Sequence, residues 1–129
     1  MSNAVINLMY LVGELTTPVI LMLVALSVWR SPPKWGDSTG YNTKLSRKSE
    51  AAWDYAQLAY GRYATKAFAV TSALTFVVGL IALLLNFGED AGFAAFIIVT
   101  AVQIAVLFAV IVVVERELKQ KFDENGKPR

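Results

Sequence analysis

Cysteine and histidine are absent from the 129 residues of this sequence. The absence of cysteine excludes disulfide bonds, thiol nucleophiles and thiolate metal sites, and the absence of histidine removes the commonest metal ligand and general base. Charged residues are scarce as well, at 17% of the chain against roughly 25% in a soluble domain. No pair of carboxylates has a spacing typical of catalysis. We therefore expect a protein that is not an enzyme and that holds no metal or cofactor.

Apolar residues make up 56% of the sequence, and most fall in three long blocks, at about residues 6–29, 66–85 and 91–114. About 20 helical residues cross the hydrocarbon core of a bilayer, and a backbone in lipid must satisfy its own hydrogen bonds. Each block therefore predicts a transmembrane helix. Pro18 is expected to kink the first helix, with nearby threonine hydroxyls bonding the carbonyl that the proline frees. The sequence thus predicts an all-α membrane protein with three transmembrane helices in one domain, residues 1–129.

The stretches outside these blocks are more polar. Residues 30–45 contain Pro32-Pro33 and two glycines, which favour a non-helical connection. Residues 46–64 return to helical periodicity, with aromatic residues on one face and charged residues on the other, and predict an amphipathic helix in the membrane interface. This helix is either separate from the second transmembrane helix or continuous with it after a bend near Gly61. Residues 86–90 predict a tight turn, and residues 115–129 predict a charged, frayed tail.

The basic residues are distributed very unevenly along the chain. All 12 lysine and arginine residues lie either between residues 30 and 66 or after residue 115. The N-terminal stub and the turn at 86–90 contain none. Because positively charged loops stay in the cytoplasm, the sequence predicts an N-terminus outside the cell and a C-terminus and amphipathic helix inside.

The connection between the first two blocks carries the most distinctive motifs. In order they are Pro32-Pro33-Lys34, Gly40-Tyr41-Asn42-Thr43, Ser46, Lys48-Ser49-Glu50, Trp53, Ala56-Gln57 and Gly61-Arg62. In order and spacing this pattern resembles the SdpI family of bacterial multipass membrane proteins, over about residues 15–85. One position departs from the family pattern, since Asn42 stands where the family has an arginine. The asparagine keeps hydrogen-bonding ability and loses the charge.

The resemblance implies a multi-pass protein of the bacterial cytoplasmic membrane, surrounded by the lipid bilayer and without a catalytic residue. The founding member of the family protects a producing cell against its own secreted killing peptide and holds a transcriptional repressor at the membrane. We therefore expect toxin-peptide immunity or membrane signalling, with a peptide toxin outside and a cytoplasmic regulator inside as partners. The sequence has no nucleic-acid motif, so direct binding of nucleic acid is not expected.

Glu14 is the most unusual residue, because a carboxylate inside a transmembrane block is costly in hydrocarbon. Given the alternating directions of the three helices, several hydroxyl and amide residues fall at a comparable depth. The candidate cluster is Glu14, Thr17, Ser72, Thr75, Thr100 and Gln103. It would bind a cation, a proton or a peptide amine, and the alternative function is then a small transporter or an ion-coupled membrane subunit. The other interpretation is that Glu14 only helps to pack the helices.

The motif-bearing connection forms a second candidate site. Its residues are Pro33, Lys34, Gly40, Tyr41, Asn42, Thr43, Ser46, Glu50, Trp53, Gln57 and Arg62. They fit either a cytoplasmic pocket or docking surface with aromatic anchors, or a turn that folds the connection onto the helices. In the third block, Ala101, Ala105 and Ala109 form a stripe of small residues, which packs helices closely within one chain or in a homo-oligomer.

Overall fold

The computed structural model describes all 129 residues and consists of three α-helices without a β-strand. Helix α1 spans Asn3–Arg30, α2 spans Glu50–Leu84 and α3 spans Glu89–Lys121. Each helix is long and apolar enough to cross a membrane. The prediction of three helices suited to span a bilayer is confirmed.

Serine side chains cap the N-termini of α1 and α2. The Ser2 hydroxyl accepts a hydrogen bond from the Val5 amide at 3.3 Å, and the Ser49 hydroxyl accepts one from the Ala52 amide at 3.0 Å. Each bond satisfies an amide that the first helical turn leaves without a partner. Glu50 follows in the first turn of α2, where its negative charge is favourable.

The sequence left open whether the amphipathic helix continues into the second transmembrane helix, and α2 is one uninterrupted helix of 35 residues. No separate amphipathic helix lies over residues 46–64. At 1.5 Å per residue α2 is about 52 Å long, whereas a hydrocarbon core is about 30 Å thick. Gly61 does not interrupt the helix but admits α1, since a Cβ atom added there would lie 2.6 Å from the Trp29 Cβ atom. The first turns of α2 therefore continue the bundle and pack against protein.

The end of the chain also differs from its prediction. Helix α3 continues to Lys121, past its predicted end, through a run of mostly good helix formers. Leu118 anchors this extension with only 2% of its surface exposed. Residues 122–129 are not frayed but turn back toward the start of α2, where the Ser49 hydroxyl donates to the Gly126 carbonyl at 2.5 Å.

Helices α1 and α2 form an antiparallel pair. The buried residues of α1 recur every three or four positions, apart from one gap, and are Asn7, Leu11, Glu14, Pro18, Ala25 and Val28. This spacing is typical of the seam between two closely packed helices. Gly79 of α2 leaves room for the side chain of Leu11. The pair is therefore closely packed near both of its ends.

Two clusters of buried apolar residues join α3 to this pair. One consists of Ala25, Ala64, Phe68 and Val110, and the other of Tyr41, Ala52, Ala56, Ala59, Val114 and Leu118. Both lie toward the end of the bundle formed by the last turns of α1, the first turns of α2, the last turns of α3, the connection 31–49 and the tail. We call it the basic end, because the 12 lysine and arginine residues lie toward it.

Much of the surface of α3 is apolar and exposed. Ile98, Phe108 and Val112 each expose more than 60% of their surface. Exposed apolar side chains of this kind are compatible with contact with lipid. Ala101, Ala105 and Ala109 are exposed as well. The alanine stripe is therefore not buried in a seam between helices of one chain.

Candidate functional site

Glu14 lies on the buried side of α1, with 7% of its surface exposed. It borders a cavity of about 390 Å³ between α1 and α3. The cavity is lined by Gly13, Glu14, Thr17, Leu21, Phe96, Thr100, Gln103, Ile104 and Leu107, and we call it the Glu14 cleft. Its volume lies at the lower end of the range of roughly 300–1,000 Å³ found for small-molecule sites.

Pro18 explains how the backbone of this region is built. A proline has no N–H group, so the carbonyl four residues earlier, that of Glu14, loses its helical hydrogen bond. The Gln103 side-chain amide of α3 replaces it, donating to the Glu14 carbonyl at 2.9 Å. The same nitrogen donates to the Thr75 hydroxyl of α2 at 3.2 Å. Gln103 therefore joins all three helices at the level of the cleft.

The expectation that a threonine hydroxyl would bond the freed carbonyl is wrong. The nearby Thr16 hydroxyl donates to the Val12 carbonyl instead, at 2.8 Å. A hydroxyl on a helix readily bonds the carbonyl four residues earlier on its own helix. The Glu14 carbonyl is thus left to the longer Gln103 side chain, which reaches across from α3.

The Glu14 carboxylate has no comparable partner. Its Oε1 atom is buried and accepts no hydrogen bond. A carboxylate taken out of water without a donor or a counter-charge is strongly unfavourable. Such a group is either protonated or paired with a ligand that supplies a hydrogen-bond donor or a positive charge.

The structure brings most of the predicted Glu14 cluster together. Thr17, Thr100 and Gln103 line the cleft beside Glu14, and Thr75 lies behind it, bonded to Gln103. Ser72 does not join them. Its hydroxyl donates to the Phe68 carbonyl of its own helix at 2.7 Å, and the residue is not part of the cleft lining.

Sequence reasoning missed Phe96 as a wall of the cleft. The signal was present, because Phe96 precedes Gln103 by seven residues, which is close to two helical turns and places both on one face. Its ring also stacks on Tyr10, with 4.9 Å between the ring centroids. This contact holds the N-terminal part of α3 against α1 beside the cleft.

At the basic end, Gln57 of α2 fixes the connection through the backbone of Tyr41. The Tyr41 amide donates to Gln57 Oε1 at 2.8 Å, and Gln57 Nε2 donates to the Tyr41 carbonyl at 2.6 Å. Gln57 is fully buried, so this pair satisfies four polar groups away from water. Gly40 precedes it with φ +80°, and a side chain there would collide with Gln57 and Pro33.

Two further contacts fold the same connection. The Trp53 indole N–H donates to the Pro33 carbonyl at 3.0 Å, and its ring is completely buried. The Thr43 amide donates to the Ser46 hydroxyl at 2.8 Å, and that hydroxyl donates to the Thr43 carbonyl at 2.9 Å. Together with the Gln57 pair, these bonds hold the connection in one conformation on α2.

Tyrosine hydroxyls attach α3 to this end of the bundle. Tyr41 donates to Glu115 Oε1 at 2.5 Å, and Tyr55 and Tyr63 donate to Glu117 Oε1 at 2.9 Å and 3.0 Å. Burial, and after it the hydrogen bond to Glu115, raises the pKa of Tyr41 above its ordinary value. The tyrosine therefore remains a donor over a wide pH range.

The predicted motif residues divide into two groups. Seven of them interlock in the folded connection, namely Pro33, Gly40, Tyr41, Thr43, Ser46, Trp53 and Gln57. Lys34, Asn42, Glu50 and Arg62 are exposed. Arg62 lies over the Tyr63 ring at 4.8 Å from its centroid. These four polar or charged side chains, two on the connection and two on α2, are therefore open to the surroundings.

Comparison with known proteins adds no relative to this description. Neither a family model, nor a curated protein, nor a solved structure matches the chain. The case for a function therefore rests on the motif pattern of the connection and on the geometry of the two regions described above.

Proposed function

We propose that this chain is a non-enzymatic bacterial membrane protein of the SdpI type that protects its cell against a secreted, membrane-active peptide. The observation that carries the proposal is the Glu14 carboxylate, buried without a partner beside a cleft between α1 and α3. Ionisable residues inside a membrane are rare and usually mark a functional site. The reason for proposing the SdpI family is the resemblance of the motif pattern between Pro32 and Arg62.

The position of the cleft suits an encounter with a peptide in the outer half of the bilayer. Glu14 lies about 16 Å from the first turn of α1, at 1.5 Å per residue. The positive-inside rule places the basic end in the cytoplasm, so the first turn of α1 faces outward. A peptide that kills by entering the membrane passes the depth of Glu14. Binding there would keep it from assembling elsewhere.

The basic end supplies a surface for the signalling part of the proposal. The folded connection exposes Lys34 and Asn42, and the neighbouring part of α2 exposes Arg62. Helix α3 runs from the cleft at Gln103 to the tyrosine contacts at Glu115. In this proposal a cytoplasmic regulator binds the connection, and α3 is the element that links it to the cleft.

A survival experiment tests the proposal. The chain is expressed in a sensitive bacterium, which is then challenged with secreted peptides from candidate producing strains. We expect survival with the unaltered protein, loss of survival with Glu14→Gln, and full survival with Ser72→Ala, whose hydroxyl bonds its own helix. Survival that does not depend on the protein for any peptide would contradict the proposal.

A small ion-coupled transporter is the second candidate function, and the same unpaired carboxylate favours it. Its discriminating measurement is the flux of protons or alkali cations into liposomes that contain the purified protein. The transporter requires a flux that Glu14→Gln abolishes and Ser72→Ala leaves unchanged. A protein that gives no flux but confers survival would exclude this candidate.

A further inference from the structure

The free polar groups of the Glu14 cleft are all oxygen atoms. Both amide hydrogens of Gln103 are engaged, one by the Glu14 carbonyl and one by the Thr75 hydroxyl, so only its carbonyl oxygen faces a ligand. The Glu14 carboxylate accepts only, and the hydroxyls of Thr17 and Thr100 can accept as well. The cleft therefore has no positive charge, and the only hydrogen-bond donors it offers are the two threonine hydroxyls.

The walls of the cleft are apolar. Phe96 lies toward the N-terminus of α3, and Leu21, Ile104 and Leu107 continue the lining toward the basic end. Aliphatic walls favour a hydrocarbon chain. With a volume of about 390 Å³, the cleft suits one side chain or chain end rather than a whole peptide.

The oxygen set argues against a calcium or magnesium ion as the ligand. Calcium takes six to eight oxygen ligands and magnesium keeps a near-ideal octahedral shell. The cleft offers one carboxylate, two hydroxyls and one amide oxygen, and nowhere in the protein do three acidic side chains come together. A primary ammonium group carries three N–H donors and matches this set of acceptors.

We infer that the Glu14 cleft binds a primary ammonium group on an apolar chain, as a lysine side chain or the N-terminus of a membrane-inserted peptide presents it. The peptide origin of the ligand rests on the proposed function. The ammonium group pairs with the Glu14 carboxylate and donates to Thr100 and to the Gln103 carbonyl oxygen. Its apolar chain lies along Leu21 and Leu107.

An aminophospholipid headgroup carries the same ammonium group, but its depth is unsuitable. Headgroups lie at the bilayer surface, whereas Glu14 is about 16 Å from the start of α1 at 1.5 Å per residue. A lipid headgroup would have to be drawn well into hydrocarbon to reach the carboxylate. We therefore assign the ligand to a peptide, and the experiment includes the lipid as a competitor.

Photo-crosslinking of three dodecyl diazirine probes tests this inference on the full chain in phosphatidylcholine–phosphatidylglycerol nanodiscs. The probes end in a primary ammonium, a trimethylammonium or a hydroxyl group, and peptide mapping by mass spectrometry locates the adducts. We expect the primary ammonium probe to label the residues of the cleft roughly tenfold more than the hydroxyl probe, since a buried charge pair is lost without the cation. The trimethylammonium probe, which lacks N–H donors, should label them less than the ammonium probe.

Matched variants locate the interaction. Glu14→Gln should reduce labelling by the ammonium probe to the level of the hydroxyl probe, and Thr100→Val should reduce it severalfold. Thr16→Val is the control, because its hydroxyl bonds Val12 and does not line the cleft. The comparison of the three head groups on the unaltered protein needs no variant, so it decides the question even where Glu14→Gln does not fold.

Equal labelling by all three probes would overturn the inference, and so would displacement of the ammonium probe by phosphatidylethanolamine added to the nanodiscs. The fate of the proposed function is separable from this result. Selective labelling by the ammonium probe without any protection in the survival experiment would refute the immunity function and leave the amine site. Protection that depends on Glu14 without selective labelling would refute the amine site and leave the immunity function.

Discussion

Helix α3 meets the rest of the protein in two different ways. At the basic end, Tyr41 reaches Glu115, Tyr55 and Tyr63 reach Glu117, and Leu118 is buried among apolar neighbours. At the level of Gln103 the same helix borders a cleft, and the facing Glu14 carboxylate has no partner. Good packing and satisfied hydrogen bonds are what a stable scaffold requires. One oxygen of the basic end, Glu117 Oε2, is also buried without a partner, but Glu117 Oε1 accepts two hydrogen bonds. The Glu14 carboxylate accepts none, so the cleft is the region where a ligand can supply a missing partner.

The difference also shows in how two glutamines are used. Gln57 forms a two-way hydrogen bond with the Tyr41 backbone and is fully buried, so its amide serves the fold of the connection. Gln103 donates its amide hydrogens to the Glu14 carbonyl and the Thr75 hydroxyl, and its side-chain oxygen remains free to accept. Gln57 thus has a structural role. Gln103 holds the Glu14 cleft together and, in the proposed site, also accepts a hydrogen bond from the ligand.

The largest effect is expected from Gln57→Leu at the basic end. It leaves both the amide and the carbonyl of Tyr41 buried without partners, so the free energy of unfolding should fall by about 2–5 kcal/mol. The measurement is reversible unfolding in mixed micelles, followed by circular dichroism. Gln103→Leu is the matched variant at the cleft and should cost less, about 1–2 kcal/mol. Equal losses for the two variants would contradict the distinction drawn between the two regions.

Tyr41→Phe is expected to have the next largest effect, with a pH dependence of its own. Loss of the hydrogen bond to Glu115 should lower the free energy of unfolding by about 1–2 kcal/mol near neutral pH. Burial raises the pKa of Tyr41 in the folded protein, while the unfolded chain ionises it at its ordinary value of 10.0. The folded state then binds more protons, so the contribution of Tyr41 is complete below pH 10 and declines as the pH rises further.

The check on this prediction is the difference in unfolding free energy between the unaltered protein and Tyr41→Phe, measured from pH 7 to pH 11. The difference should be constant up to about pH 10 and become smaller above it. A difference that grows with pH would mean that the folded state favours the ionised tyrosine, which is incompatible with its hydrogen bond to Glu115.

Glu14→Gln should act in the opposite direction and raise stability. The substitution removes a buried carboxylate that has no partner, and we expect a gain of about 1 kcal/mol in the same unfolding measurement. Glu117→Gln is the control, since that carboxylate accepts hydrogen bonds from two tyrosines and its loss should lower stability. A loss of stability in both variants would indicate that Glu14 is a packing residue.

The sequence predicted the parts of this structure that lipid dictates. A backbone in hydrocarbon has to be helical, and helix length and direction alone put Glu14 level with Thr100 and Gln103. It did not predict that Gln103 would bond the Glu14 carbonyl, because that contact depends on the rotation of α3 about its own axis. Rotation is set by packing between distant residues such as Tyr10 and Phe96.

The continuity of α2 was not predictable for a related reason. The pattern of residues 50–64, aromatic on one face and charged on the other, fits a helix lying on a membrane as well as a helix whose buried face meets α3 and the connection. Only the partners Tyr41, Val114 and Leu118 decide between the two, and they are distant in sequence. The fold of the tail likewise depends on contacts between residues that are distant in sequence, such as Ser49 with Gly126.

The smallest effect concerns Asp123, at the margin of the basic end. Its carboxylate accepts from the Lys127 and Asn125 amides at 2.9 Å each, and the Lys127 bond above all lowers the pKa of Asp123. A lowered pKa means that the folded tail favours the ionised form, so this contribution is present near neutral pH and is lost on acidification. Asp123→Asn should speed amide hydrogen exchange in residues 123–129 at pH 7, with the exchange of α3 unchanged. Faster exchange that spreads into α3 would show that the tail helps to hold the helix, and would extend the tightly bonded region to the last residues of the chain.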